Sequence, residues 1–199
     1  MLFNCLAIVV ACSLGTFASP FLPRVECPPA ADDIYDMLRH RSCELDTLGA
    51  HLKAEGKIIS LNNTEGINIL GSLIEASSES INPGDYLQFL LMHPIPSESD
   101  VMGSGVSKAD FENELKGYYN AMMPIVDSFK YYPGYAETMP LESMVLKAKI
   151  QNFAEAVEED SEKLKYIFGL PSVGGGVAEI GQEVSRWANG VLNTAGVFV

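Results

Sequence analysis

Imidazole is the side chain that most readily holds a transition metal or moves a proton near neutral pH, and this chain carries three: His40, His51 and His93. His40 and His51 lie eleven residues apart, a spacing that returns to nearly one face of an α-helix. The same spacing puts ~16 Å of helix axis between them, far more than one ion's coordination shell spans. Asp36 and Glu44 stand one turn to either side of His40, so a metal there would find His40 and a single carboxylate. Two ligands do not make a catalytic site. The chain has no His-Glu-x-x-His and no cysteine pair at zinc spacing, so neither a metal nor a cofactor is expected.

Other motifs fall short for equally specific reasons. Gly103-Ser104-Gly105 brackets a serine, but a nucleophile elbow needs its glycines at the outer positions, on a strand-to-helix turn. Met102 and Val106 occupy the flanks and no strand pattern precedes them, so the segment reads as a loop. Gly174-Gly175-Gly176 opens a helical pattern, with Gly181 following. A phosphate-binding loop continues with Lys and then Ser or Thr. Here Gln182 and Glu183 follow instead, and Glu183 repels phosphate, so a flexible hinge is expected. The acidic run from Glu155 to Glu162 lacks the alternating oxygen ligands and central glycine of a calcium loop. It falls on a helical pattern and reads as a solvated face, with Glu158, Glu159, Asp160 and Glu162 outward. No catalytic constellation assembles, and the chain is expected not to be an enzyme.

Two clusters point to binding. Tyr118, Tyr119, Tyr131, Tyr132 and Tyr135 gather around one helical segment and the turn after it. Heptad spacing places Tyr118 and Tyr132 in a core stripe but leaves Tyr119, Tyr131 and Tyr135 outside it, as a surface contact. Met122, Met123 and Met144 add deformable bulk beside Pro124, which is expected to kink its helix. A cavity for an apolar ligand is expected there, with Met122, Ile125 and Phe129 facing Leu146, Ile150 and Phe153.

The elements that must hold these groups read as helices. Ile34, Leu38, Leu45, Leu48 and Leu52 recur at helical spacing with Arg41 interrupting the stripe, behind Asp32-Asp33 and ahead of Gly56, which is expected to end the helix. Thr64 to Ile81 carries Ile67, Leu70, Ile74 and Ile81. After the Asn82-Pro83-Gly84 turn, Tyr86 to Met92 reads as a short buried helix. Ser107-x-x-Asp110 resembles an N-cap; behind it Phe111, Leu115, Tyr118, Met122, Ile125, Phe129 and Tyr132 repeat at four and three. Glu142 to Phe168 repeats Leu146, Ile150, Phe153, Val157, Leu164 and Phe168. Val177, Ile180, Val184, Trp187 and Val191 form a last stripe, weakened by Gly181 and Gly190, with Trp187 expected to be buried. The best strand candidate, Lys57 to Leu61, is short and isolated. The fold expected is an all-α bundle of about five amphipathic helices, one kinked at Pro124.

Residues 1–19 carry no Asp, Glu, Lys or Arg; Leu2 to Leu14 form an apolar run, and Thr16-Phe17-Ala18 supplies small residues at the cleavage positions. That is the pattern of a secretory signal peptide, shorter than the ~20 apolar residues a membrane span requires. Residues 20–199 are expected to form a single helical domain, secreted and extracellular. Trp187 to Val199 is too short and polar for a stable membrane anchor. With 26 acidic and 13 basic residues the formal charge is −13, which repels phosphate backbones and argues against nucleic acid as a partner. Cys5 and Cys12 leave with the leader. Cys27 and Cys43 are then expected to form one disulfide, the tail from Cys27 folding back along a helix that starts near Asp33. Asn62-Asn63-Thr64 is a glycosylation sequon at Asn62. These features describe an extracellular binding protein without enzymatic activity. It either presents a helical surface to a protein partner or carries a small apolar ligand between its helices.

Overall fold

The computed structural model describes residues 26–29, 33–82 and 84–196. The leader expected over residues 1–19, the proline of the 82–84 turn and the last three residues lie outside that description. Secondary structure among the described residues is helical throughout: α1 (Ile34–Ile59), α2 (Thr64–Ile81), α3 (Gly84–Met92), α4 (Glu98–Met102), α5 (Lys108–Ser128), α6 (Tyr132–Thr138), α7 (Pro140–Phe168) and α8 (Gly175–Ala195), with single 3-10 turns at Phe129–Tyr131 and Pro171–Val173.

Five long helices close a ring. α1 packs on α2, α2 on α7, α7 on α8, α8 on α5, and α5 back on α1. The apolar stripes meet inside it. Leu38, Leu45, Leu70, Ile74, Phe111, Leu115, Ile150, Phe153, Leu164 and Val184 are fully buried in one continuous core. Complete burial of such a side chain contributes about 1.5–3 kcal/mol, so stripe periodicity, rather than helix propensity, specifies the bundle. α1 and α5 run parallel. Tyr35 meets Phe111 at one end of the pair, and Gly49 sits against Pro124 farther along, where a Cβ would come within 3.2 Å of the proline ring. Pro124 stands inside a continuous α5. The smaller helices close the ends: α4 lies by the start of α1 and the 171–173 turn, and α6 packs on α7.

Helix starts follow the cap chemistry of the sequence. Asp33, Asn63, Ser97 and Ser107 each accept a hydrogen bond from a backbone amide in the first turn of the helix they precede. Helix ends do not all follow the glycines. Gly56 does not stop α1, which continues to Ile59 and takes in the suspected strand from Lys57 to Ile59; a helical glycine there costs only ~1 kcal/mol, which the buried Ile59 outweighs. Trp187 is half-buried, because Ala188 takes the inward position on α8. α3 is half-exposed, burying Tyr86 and Phe89 while Leu87, Leu91 and Met92 face solvent.

The disulfide forms as expected. Cys27 and Cys43 are bonded, with Cα atoms 5.6 Å apart, and α1 begins one residue past Asp33, leaving the tail enough chain to fold back. His40 assists, its Nδ1 lying 2.7 Å from the Pro28 carbonyl beside Cys27.

Candidate functional site

The most concentrated polar chemistry in the molecule lies inside the bundle, at the end where α2 gives way to α3. Arg41 is 2% exposed and Asp160 fully buried. Arg41 Nη1 donates to Asp160 Oδ1 at 3.0 Å and to the Ile81 carbonyl at 3.3 Å. Its Nη2 donates to the Asn82 carbonyl at 2.6 Å and to Asp85 Oδ2 at 3.2 Å. The guanidinium therefore satisfies carbonyls that the C-terminus of α2 leaves without intrahelical partners. It also lies 4.8 Å from the centre of the Tyr86 ring, a cation–π contact. Tyr118 donates its hydroxyl to Asp160 Oδ2 at 3.0 Å.

Electrostatics follow from this packing. Burial works against charge on Arg41, but Tyr86, Tyr118, Asp160 and Asp85 outweigh it and hold the guanidinium above its ordinary range. Burial pushes the Asp160 carboxyl up to about 7, against the pull of Arg41 and the Tyr118 hydroxyl. The hydroxyls of Tyr118 and Tyr119 are raised by burial as well. An acid, a cation and tyrosines so placed could move protons, but every hydrogen bond to Asp160 comes from a protein side chain within the core. What the cluster does geometrically is hold α3: Asp85 and Tyr86 are its first-turn residues, and both are gripped by Arg41.

Asp160 corrects the expectation that it faces outward with its acidic neighbours. It sits three residues after Val157 and four before Leu164, both fully buried, so its register is that of the core. Arg41 likewise occupied a stripe position on α1. A cation and an acid each at a core register were the readable sign of this pair.

Two of the three tyrosines expected on the surface are buried. Tyr119 is 2% exposed and Tyr135 fully buried. Tyr119 packs against Tyr118 and Trp187, with ring centroids 5.2 and 6.3 Å away. Tyr135 donates its hydroxyl to the Ile59 carbonyl at the end of α1 and covers Gly66, pinning α6 to the α1–α2 corner. Tyr131 is half-buried and packs on the core. Each ring follows the general rule that a buried tyrosine needs apolar walls, with a carbonyl or carboxylate at its tip where one is in reach.

The residues expected around an apolar cavity do lie in the core. Met122, Ile125, Phe129, Leu146, Ile150 and Phe153 are all buried. Phe129 and Phe153, expected on opposite sides of it, meet edge to face with ring centroids 5.5 Å apart.

Asn62 of the sequon stands exposed in the α1–α2 corner with a positive φ of 50°. Its amide lies against Gly134 of α6, where a Cβ would come within 2.6 Å of Asn62 Nδ2. The Gly103–Gly105 segment is a loop, with positive φ at both glycines.

Outside the bundle, the outward face of α3 stands beside the acidic half of α7. Leu90 of α3 and Glu155, Glu158, Glu159, Glu162, Lys163 and Tyr166 of α7 line one open depression of about 610 Å³. Leu87 and Leu91 follow on the same α3 face at helical spacing. Sequence reasoning missed this surface because Tyr86 to Met92 is apolar nearly all round, which does not reveal which side the bundle takes.

Residues 33–132, just over half of the 199-residue chain, match the family model described as hemocyanin, copper containing domain. No curated protein and no solved structure matches the chain. The copper in that description is not supported by the residues present. Imidazoles suit copper, but the three here are dispersed: His40 and His51 along α1, and His93 just past α3, 4.9 Å from Phe89. Both ring nitrogens of His40 already have partners, the Pro28 carbonyl at 2.7 Å and Glu44 at 3.3 Å. Among the described residues no three His, Cys, Asp or Glu side chains are grouped to hold a metal ion.

Proposed function

This chain belongs to the hemocyanin copper-containing-domain family, and we propose that it is a secreted, non-enzymatic interaction protein presenting a helical surface to an extracellular protein partner. The observation that carries this reading is α3. Arg41 holds it firmly by Asp85 and Tyr86, yet it turns Leu87, Leu91 and Met92 to solvent, followed by Ile95. Contiguous exposed apolar side chains on a fixed helix are an unfavourable feature unless something covers them. Secretion is supported by the leader pattern over residues 1–19, by the Cys27–Cys43 disulfide, which suits an oxidising compartment, and by the sequon at exposed Asn62. Among the described residues no helix is long and apolar enough to cross a membrane.

The alternative, a carrier of an apolar ligand, has less support. Phe129 and Phe153, from its two expected walls, are in edge-to-face contact. Native mass spectrometry of the secreted protein separates the two readings. A stoichiometric protein partner is the expected finding. A copurifying lipid with no protein partner overturns the interaction reading in favour of the carrier.

A further inference from the structure

The α3–α7 depression combines two properties that ordinarily lie apart. One wall is leucine: Leu90 lines it, and Leu87 and Leu91 extend the same helix face outward, 61% and 77% exposed. The other wall is acid: Glu155, Glu158, Glu159 and Glu162 project from α7 around Tyr166, itself 62% exposed, with Lys163 the one cation in the lining. Glu162 pairs with Lys165 at 2.7 Å. Glu155, Glu158 and Glu159 have no ion pair among the described residues. An apolar stripe edged by uncompensated carboxylates is complementary to a helix with leucine-like anchors on one side and Lys or Arg beside them.

We propose that this surface docks a basic amphipathic helix of a partner protein. The inference rests on the interaction reading above and specifies its partner. The partner's apolar residues lie over Leu87, Leu90, Leu91 and Tyr166, and its cations face the α7 carboxylates. The formal charge of −13 steers such a segment toward the molecule. Other occupants fit less well. A second copy would bring a like-charged wall to the same face, and an anionic lipid surface would be repelled by it.

The test uses a synthetic helical peptide of leucine and lysine with its leucines on one face, and a control of identical composition with the leucines dispersed. Binding to the full secreted protein is followed by fluorescence anisotropy across a salt series. The segregated peptide should bind more tightly than the control. Leu87→Ser with Leu91→Ser should weaken it ~tenfold or more, and Glu158→Gln with Glu159→Gln should flatten its salt dependence. Both pairs are exposed, and unchanged unfolding midpoints would show that the fold is kept. Equal binding of the two peptides, or no effect of the leucine changes, overturns the proposal, leaving only a diffuse ionic attraction. Wild-type dimers that dissociate on the leucine changes overturn it in favour of self-association. Preferential binding to phosphatidylserine vesicles overturns it in favour of a membrane.

A photo-crosslinker placed at Leu91 or at the distant Leu141 separates this proposal from the broader reading. A partner caught only from Leu141 rejects this surface while preserving an interaction protein. No partner from either site, with no peptide binding, rejects both.

Discussion

Removing either member of the Arg41–Asp160 pair leaves the other group inside the bundle without its counterpart. Arg41→Ala should therefore cost about 3–5 kcal/mol in denaturant unfolding. Arg41→Met combined with Asp160→Leu should recover most of that loss, since two apolar side chains need no partner. A double variant as unstable as the single one would show that the helix-end carbonyls of Ile81 and Asn82, rather than Asp160, are what Arg41 chiefly serves. The pair also sets a pH dependence. Burial lifts Asp160 from 3.8 to about 7 in the folded protein, so between those values the native state holds a proton that the unfolded chain has released. Stability from this group is fullest at the acidic end and declines as pH rises toward 7. The facing groups are Arg41 from α1, Asp85 and Tyr86 from α3, and Tyr118 and Tyr119 from α5. Asp160→Asn abolishes the titration while keeping an oxygen for Tyr118. The wild-type unfolding midpoint should fall relative to the Asn variant between pH 4 and 7. A constant difference across that window refutes the assignment.

Individual helices differ in how much freedom their neighbours leave them, and glycines report it. Gly190 on α8 has nothing within 4 Å of a would-be Cβ, so Gly190→Ala should stabilise by ~1 kcal/mol through helix propensity alone. Gly66 on α2 is the opposite case. Its Cβ would lie 2.6 Å from the Tyr135 hydroxyl and 2.7 Å from the Ile58 carbonyl. Gly66→Ala should therefore cost about 1–3 kcal/mol by forcing α2 and α6 away from the end of α1. Thermal unfolding of the two variants, one above and one below wild type, checks both at once. Sequence marked Gly190 as a weakness but not Gly66, because the clash comes from the end of α1 and from Tyr135, which only the α1–α2 corner and the docking of α6 bring against it.

At the scale of the whole molecule, the disulfide ties the N-terminal tail to a bundle whose ring already closes through α5 and α1. Cys27 and Cys43 are 16 residues apart, a loop whose cross-link removes ~3 kcal/mol of unfolded-state entropy. Cys27→Ala with Cys43→Ala should lower the denaturation free energy by about that amount while leaving the far-ultraviolet helical signal intact. Non-reducing peptide mapping of monomeric protein should recover the two cysteine peptides linked. Free thiols in the secreted wild type would contradict the pairing.

The helical class, the long helices of the ring and most of their inward residues were legible in the chain, because a stripe such as Phe111, Leu115, Tyr118, Met122 encodes its own buried side at fixed spacing. So were the caps at Asp33 and Ser107 and the reach from Cys27 to Cys43, which depend on neighbours a few residues away. Only the tertiary structure decided that Asp160 turns inward to Arg41, that Tyr119 and Tyr135 are covered, and that α3 shows its leucines to solvent beside an acidic α7. Each of those outcomes depends on which segment arrives from far along the chain. A polar residue at a core register, or a helix apolar on all sides, does not carry its partner's position in its own local spacing.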